Sequence, residues 1–310
     1  MIRTPTTFVV GAGASQPYGY PLGSGLYDLA KAVGPESDVY QLVRQSVVPG
    51  GDVALLNSVL QEMREESALS IDEFLLRRQD REIVQRIGKA LIAILLAQAA
   101  ATSVTGAREI GRDWLRRVAR EMLAGASTWS DVLDGNRNLR FITFNFDSVI
   151  QQKVTLEAQR AFPSADVRQL LEAVPIVHVN GRLSPAPRTT ITSNVGDVYR
   201  EWMDWTARAV DEIRIVHERH DDNETEQRVS EGLLNAAVVC FLGFSYHIDN
   251  MRRLDVANDV RPNATVFGSA FGEADGQRPR ITTRVGHAIQ LGRVNQDSLA
   301  MLDDYYIFRD

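Results

Sequence analysis

The sequence predicts an α/β fold, a Rossmann-like parallel sheet with helices on both faces. Six short apolar, β-branched runs recur along the chain, and a polar or glycine-rich break follows each one. Segments with helical periodicity lie between these runs, and strands that alternate with helices are typical of a parallel sheet. The runs cover residues 7–10, 139–144, 175–179, 237–242, 264–267 and 288–291.

The segment 36–126 differs from the rest of the chain in composition and pattern, because it is rich in Leu, Arg, Glu and Ala and has no strand-like run. Its motif Ser-Ile-Asp-Glu at 70–73 predicts a capping box that opens a helix. Residues 82–101 carry an apolar stripe at helical spacing. We therefore predict an all-helical insertion at 36–126 within a Rossmann-like domain formed by 1–35 and 127–310.

The composition describes an ordinary globular protein of 310 residues with 44% hydrophobic and 24% charged residues. The net charge of −6 argues against direct binding of nucleic acid through bulk electrostatics. The sequence also lacks a signal-like start, and its longest apolar run, 90–97, is too short to span a bilayer. We expect a cytoplasmic protein with neither nucleic acid nor membrane among its partners.

Metal sites are not predicted. The chain has one cysteine, Cys240, in the apolar run 237–242, which predicts a buried inert thiol and excludes a cysteine zinc site within this chain. His217 and His220 depart from the His-Glu-x-x-His pattern. The charge run 218–228, which follows His217 and contains His220, is typical of a solvated loop.

The first apolar run ends in Gly11-Ala12-Gly13-Ala14-Ser15. Glycines let the main chain approach a pyrophosphate closely, and free N–H groups at such a turn attract anions. The pattern lacks the complete G-x-G-x-x-G spacing. A phosphate-binding turn and a purely geometric turn are therefore both open.

Two other strand ends are unusual. Thr143-Phe144-Asn145-Phe146-Asp147 follows the second run, and Gly243-Phe244-Ser245 follows the fourth. The carboxyl ends of parallel strands form the crevice in which such sheets bind ligands. The alternative is a local turn, because Asn and Asp side chains often bond nearby backbone.

In order, these motifs resemble those of the sirtuin family. Residues 11–15, followed by Gly-Tyr-Pro at 19–21, resemble Gly-Ala-Gly-x-Ser with a later Gly-x-Pro, and residues 143–147 resemble Thr-x-Asn-x-Asp. Residues 177–181 occupy the place where the family's catalytic histidine precedes glycine. Residues 243–245 resemble the Gly-x-Ser turn that in sirtuins lies against the adenosine ribose and phosphates of NAD.

The resemblance implies a set of NAD-binding residues. Ser15 and the N–H groups of Gly13 and Ala14 are assigned to the phosphates, and Gly243 and Ser245 to the adenosine side. The run 266–272, at the end of the fifth strand, is expected to close over the adenine, and this assignment is weaker than the others. The whole set is Gly11, Ala12, Gly13, Ala14, Ser15, Tyr20, Pro21, Gly243, Phe244, Ser245, Gly268 and Ser269.

Within the family, the chain resembles the bacterial anti-phage defence branch. Residues 22–24 replace the Asp-Phe-Arg of deacylases, the four zinc cysteines are missing, and the start of the insertion at 71–75 is similar to that branch. The resemblance implies hydrolysis of NAD+, as substrate, to nicotinamide and ADP-ribose without zinc. It also implies a partner protein, self-assembly or both. A catalytically silent sensor of NAD or ADP-ribose, and less so an NAD-dependent deacylase, stay open.

One departure concerns catalysis. Asn180 stands directly before Gly181, where the family usually has histidine, and His178 lies two residues earlier on the same face of an extended strand. His178 could reach the crevice and accept a proton, or be a structural histidine. Asn145 could bond a ribose hydroxyl or orient water, and Asp147 could offset developing positive charge. The catalytic candidates are thus Asn145, His178, Asp147 and Asn180.

Overall fold

The computed structural model of the chain describes residues 1–103, 112–189, 191, 196–215, 218, 223–305 and 307–308. Some of the sequence predictions fall outside these residues. They concern His217, residues 219–222 of the charge run, which include His220, and the stretch 104–111 of the predicted insertion.

A parallel sheet of six strands forms the centre of the described fold, with strand order β3-β2-β1-β4-β5-β6. This confirms the predicted Rossmann-like α/β class, and each of the six predicted runs forms a strand. The strands are β1 Thr6–Val10, β2 Leu139–Thr143, β3 Ile176–His178, β4 Val238–Leu242, β5 Thr265–Gly268 and β6 Ile289–Leu291.

The central strand β1 is buried along its whole length, as expected for a strand covered on both faces. Its last residue, Val10, pairs with Thr143 of β2 and with Leu242 of β4. The three strands therefore end at the same level. Because the chain builds outward from β1 to β3 on one side and from β4 to β6 on the other, the topological switch point lies between β1 and β4.

Helices make up most of the remaining described chain. They are α1 Ala12–Ser15, α2 Gly23–Lys31, α3 Asp38–Val47, α4 Val53–Glu65, α5 Ile71–Leu76, α6 Glu82–Thr102, α7 Trp114–Leu123, α8 Trp129–Gly135, α9 Val149–Ala161, α10 Arg168–Ala173, α11 Asp197–Glu212, α12 Asn223–Leu234, α13 Ile248–Leu254, α14 Val256–Asp259, α15 Arg278–Val285 and α16 Ser298–Asp304. Short 3₁₀ turns accompany them at Gln16–Tyr18, Pro49–Gly51 and Asp275–Gln277.

The helix start predicted at 70–73 is present, with one difference from a complete capping box. The Ser70 hydroxyl accepts a hydrogen bond from the N–H of Glu73, which opens α5. The Glu73 carboxylate accepts from the N–H of Leu69 at 2.7 Å, one residue before the position that a capping box requires. Both groups still satisfy N–H groups at the start of the helix.

The chain forms two compact units. The first consists of Met1–Tyr18, Val104–Val179 and His220–Asp310 and contains the sheet. The second consists of Gly19–Ser103 and Asn180–Arg219, where α11 packs against α3 and α6. The second unit thus differs from the predicted insertion at 36–126. Its first segment begins and ends earlier, at Gly19 and Ser103, and it also includes the segment Asn180–Arg219 that follows β3. The domain boundaries at 36 and 126 stay a prediction.

Two apolar features of the fold bear on the sequence analysis. Helix α6 is long and apolar enough to cross a membrane, but 72% of its most apolar stretch is buried inside the protein. It has the burial of a core helix in the second unit. Cys240 on β4 is fully buried and free, and its burial raises the pKa of the thiol well above the usual value, as expected for an inert cysteine.

Candidate functional site

The loops that follow β1 and β4 pack backbone against backbone at the switch point. The N–H of Gly13 donates to the carbonyl of Gly243 at 2.9 Å. A Cβ atom on Gly11 would lie 2.6 Å from that carbonyl oxygen, and one on Gly243 would lie 1.9 Å from the nitrogen of Ala14. Gly243 also has a φ of +56°, a conformation that residues other than glycine rarely adopt. These glycines are required for the close approach of the two loops.

This packing occupies N–H groups that were predicted to bind phosphates. Gly13 donates to Gly243, and Ala14 donates to the carbonyl of Gly11 at 3.0 Å. Both groups therefore already have acceptors within the protein, which differs from the predicted assignment. The physical reason is the tight β1–β4 contact, which the sequence pattern alone could not reveal. Gly13 and Ala14 stay predicted neighbours of the ligand through their position in the loop.

Asn145 joins the end of β2 to the loop after β1. It is buried, and its Nδ2 donates to the carbonyl of Gly11 at 3.0 Å and to the Ser15 hydroxyl at 2.9 Å. A carbonyl oxygen only accepts, so the amide nitrogen must face Gly11, and this fixes the orientation of the side chain. Both amide hydrogens are used, which leaves Oδ1 to meet a ligand or water.

Asp147 lies beside Ser15 and Asn145 and completes the cluster. The buried Ser15 hydroxyl accepts from Asn145 and lies close enough to the Asp147 carboxylate to lower its pKa. The Asp147 carboxylate accepts from the N–H of Val149 at the start of α9. Burial raises the pKa of Asp147 above its usual value, and the interactions with Val149 and Ser15 oppose this only in part. The cluster therefore contains a carboxyl group with increased affinity for a proton.

His178, at the end of β3, lies beside this cluster with both ring nitrogens in contact with neighbours. Its Nδ1 lies 2.9 Å from the backbone carbonyl of Asn145, and its Nε2 lies 2.6 Å from the Nε2 of Gln151 on α9. The backbone N–H of Asn145 donates to the Thr143 hydroxyl at 3.1 Å. The structure thus brings Ser15, Asn145, Asp147 and His178 together in the first unit.

The turn after β4 is tied to the end of β5. The N–H of Gly243 donates to the Ser269 hydroxyl at 2.8 Å, and the Tyr246 hydroxyl donates to the carbonyl of Ser269 at 3.0 Å. Tyr246 is fully buried with φ of +51°, and a Cβ atom on Gly268 would lie 2.2 Å from its hydroxyl oxygen. Gly268 and Ser269 therefore support the turn, and their predicted contact with a ligand stays a prediction.

The two side chains of that turn point into different environments. Phe244 is buried, and its ring packs against Phe144, Phe241 and Tyr246. Ser245, the next residue, is exposed. Phe244 therefore anchors the turn in the apolar core, and Ser245 is the side chain of this motif that is accessible to a ligand.

Tyr20, Pro21 and Asn180 belong to the second unit, and their predicted roles stay predictions. The carbonyl of Asn180 accepts from the N–H of Arg214 at 2.9 Å. Gly181 has φ of +85°, and a Cβ there would lie 2.0 Å from the carbonyl oxygen of Glu212. The Asn-Gly pair thus has a packing reason of its own, since only glycine fits this approach to the end of α11.

Several residues that support the site were not found from the sequence. The Trp114 indole donates to the carbonyl of Ala14 at 2.8 Å, and the Tyr18 hydroxyl donates to Asp113 at 2.9 Å. The buried Lys153 ammonium lies 2.9 Å from the same carboxylate. These contacts hold the loop after β1 against α7 and α9. Their partners are far apart in the chain, so no local pattern signals them.

One cavity within the described residues does not coincide with this cluster. A cavity of about 360 Å³ lies at the opposite edge of the sheet, lined by Met1, Arg3, Asp131, Asp134, Gly135 and Asn138. A search of the described residues found no cluster of three or more side chains suited to hold a metal ion.

Together, the fold and the site define a Rossmann-like α/β protein with a candidate ligand site at the switch point of its sheet. Comparison of the chain with protein-family models, curated proteins and solved structures found no match. The site and the sequence motifs are therefore the features that bear on function.

Proposed function

We propose that this protein is a sirtuin-like NAD+ hydrolase, which cleaves NAD+ to nicotinamide and ADP-ribose. The observation that carries the proposal is the cluster of Ser15, Asn145 and Asp147 beside the switch point, in which the Asn145 amide donates to the Ser15 hydroxyl. Ligands of such sheets bind at this place. Two of the motifs that resemble the sirtuin family supply the three side chains, and a third forms the adjoining turn at 243–245.

The reaction breaks the bond between nicotinamide and ribose through an oxocarbenium-like transition state. Nicotinamide is a good leaving group, so the protein mainly has to hold the ribose, stabilise positive charge and place a water molecule. In this proposal Asn145 Oδ1 accepts a hydrogen bond from a ribose hydroxyl or from that water. The Asp147 carboxylate offsets the developing charge, and its raised pKa makes it a better proton acceptor than an ordinary aspartate.

The remaining predicted residues would hold the other parts of NAD+. The loop 11–15 would lie along the pyrophosphate, with Ser245 and Gly243 on the adenosine side and Gly268 and Ser269 near the adenine. Gly11 and Gly243 support this role because they let the two loops pack backbone against backbone at this place. Tyr20 and Pro21 enter the proposal from the motif resemblance alone.

The biological setting is proposed from the same resemblance. In it the protein is a cytoplasmic effector of a bacterial anti-phage defence system. It depletes NAD+ after a partner protein or self-assembly activates it.

The proposal is tested by incubating purified protein with NAD+ and quantifying nicotinamide and ADP-ribose by chromatography. The assay is run on the protein alone, over a wide range of protein concentrations, and with proteins encoded beside it. We expect equimolar release of the two products under at least one of these conditions. NAD+ that stays intact under all of them would contradict the hydrolase proposal.

A second candidate function is a catalytically silent module that binds NAD+ or ADP-ribose. The observation that favours it is that both ring nitrogens of His178 already have partners, while Asn180 stands where the family usually has histidine. Titration calorimetry with ADP-ribose separates the two candidates. Binding by a protein that releases no nicotinamide would support the silent module.

A further inference from the structure

The protonation of the His178 ring follows from its neighbours. The backbone carbonyl of Asn145 can only accept, so Nδ1 of His178 must carry the hydrogen that lies between them. In the neutral ring Nε2 is then an acceptor, and the amide of Gln151 must donate to it. The ring is thereby fixed in one tautomer and one orientation.

A glutamine at position 151 has an energetic cost, because it buries a polar group without a hydrogen-bond partner. This cost suggests that the side chain has a specific role. Its side chain is buried, and among the described residues its Oε1 has no hydrogen-bond partner. Because the amide nitrogen of Gln151 faces His178, the amide oxygen Oε1 must point in the other direction, where it has no partner among the described residues. An apolar side chain of similar length would avoid the unsatisfied oxygen. The amide is therefore explained by what it does to the histidine ring.

We infer that His178 and Gln151 form a positioning pair for Asn145, and that His178 is not the group that accepts the reaction's proton. The inference rests on the proposed function, in which Asn145 meets NAD+. Gln151 orients the ring, and Nδ1 of the ring holds the Asn145 carbonyl. Thr143, Gly11 and Ser15 accept from the backbone N–H and the side-chain amide N–H groups of Asn145.

These contacts fix every donor of Asn145 and its backbone carbonyl, so that Oδ1 alone is presented to the ligand. A small displacement of a group that must meet a reacting atom can cost about 100-fold in rate. The pair therefore acts on the turnover number through the placement of Oδ1, and it affects binding of NAD+ much less.

The decisive comparison is His178→Asn against His178→Ala. The Nδ2 of asparagine is separated from Cα by the same number of bonds as Nδ1 of histidine, so it can donate to the Asn145 carbonyl. It cannot take up a proton. We expect His178→Asn to retain kcat within about 5-fold of the original protein and to keep its pH profile, and His178→Ala to lose about 100-fold. A folded His178→Asn protein as inactive as His178→Ala would overturn the inference.

Gln151→Met removes the donor to the ring, and Gln152→Met is its matched control. Gln152 lies on the same helix, is exposed and bonds the Ser148 hydroxyl. We expect about a 10-fold loss of kcat with little change in KM for Gln151→Met, and unchanged kinetics for Gln152→Met. Equal kinetics in the two variants would contradict the role of Gln151.

A measurement without NAD+ separates this inference from the proposed function. Nuclear magnetic resonance of protein labelled with ¹⁵N-histidine reports which ring nitrogen carries the hydrogen. We expect the neutral His178 ring to carry it on Nδ1, and the Nε2 signal to change in Gln151→Met. An Nε2–H ring in the original protein would refute the positioning pair even if NAD+ is hydrolysed. Absent turnover with an Nδ1–H ring would refute the hydrolase and leave the pair standing.

Discussion

The contacts of Asn145 show that a local turn does not fully explain why polar residues follow β2. A turn residue bonds nearby backbone, and Asp147 does so through the N–H of Val149. The Asn145 amide instead reaches Gly11 and Ser15, which are more than 100 residues away in the chain. Asp147 also contacts Ser15. The same strand end therefore contains ordinary turn contacts and, in addition, a cluster that a turn does not require.

Asp147→Asn tests the role of the carboxylate through stability. The folded protein raises the pKa of Asp147 above its unfolded value, so its favourable contribution is present at low pH and is lost as pH rises through the folded pKa. At pH values above the folded pKa, the ionised carboxylate costs stability. We expect the stability of Asp147→Asn, relative to that of the original protein, to increase as the pH rises from 4.5 to 8, as measured by urea unfolding. We also expect Asp147→Asn to lose NAD+ hydrolysis.

The opposite pH trend would show that the carboxylate is stabilising when ionised. Asp147 would then be a structural residue of the turn, and its place among the catalytic candidates would fail.

Gly243→Ala tests the backbone contact between the loops after β1 and β4. The new Cβ atom would lie 1.9 Å from the nitrogen of Ala14, in a residue with positive φ. We expect a loss of more than about 3 kcal/mol in the free energy of unfolding, because both backbone strain and steric overlap are introduced. Denaturant titration gives this value.

Gly272→Ala is the matched control, since Gly272 also has positive φ but a Cβ there would meet open space. Its expected cost is only about 1 kcal/mol, from the backbone conformation alone. Similar losses in the two variants would show that the close approach at Gly243 is not what makes glycine necessary.

At the scale of elements, the strands were predictable and their contacts were not. All six apolar runs form strands within one or two residues of the predicted ends, since short β-branched runs bounded by glycine and polar residues are strong local signals. The start of α5 and the extent of α6 also followed from local patterns. Gln151 and Tyr246 were missed because their roles arise from residues on other elements.

The membership of α11 in the second unit shows the same limit. Its sequence lies beyond β3, far from the predicted insertion, yet it packs against α3 and α6. Amphipathic periodicity predicts that a helix has an apolar face, and it does not say which partner covers that face. The grouping of helices therefore had to come from the structure.

Glu62→Gln tests the ionic network that joins α4 to the start of α6 in the second unit. Hydrogen bonds from Arg81 and Arg78 lower the pKa of Glu62 from the usual 4.5 to about 2. This stabilisation is present above the unfolded pKa and is lost as pH falls through the folded one. Allowing for solvent screening, we expect a loss of about 1–2 kcal/mol at neutral pH that shrinks towards pH 2.

Unfolding of the second unit at pH 7 and pH 3 measures this difference, with Glu65→Gln as control. Glu65 lies on the same helix, is exposed and accepts from Gln61. A loss for Glu62→Gln that is the same at both pH values would mean that the arginines do not hold its pKa down.

The whole molecule places its unusual side chains at one edge of its sheet. The β3-β2-β1-β4-β5-β6 order creates a switch point at β1 and β4, and the candidate residues of the first unit follow β1, β2, β4 and β5 or end β3 there. Rossmann-like sheets serve many functions, so the fold alone does not define one. The NAD+ hydrolase proposal therefore depends on Asn145 and its neighbours.

The most direct measurement is the initial rate of nicotinamide release from NAD+ by the original protein, Asn145→Ala and Asn138→Ala. Asn138 is an exposed asparagine just before the opposite end of β2, where it bonds the Arg3 carbonyl. We expect Asn145→Ala to lose at least about 100-fold in rate and Asn138→Ala to match the original protein. Equal rates for a folded Asn145→Ala protein and the original would contradict the account.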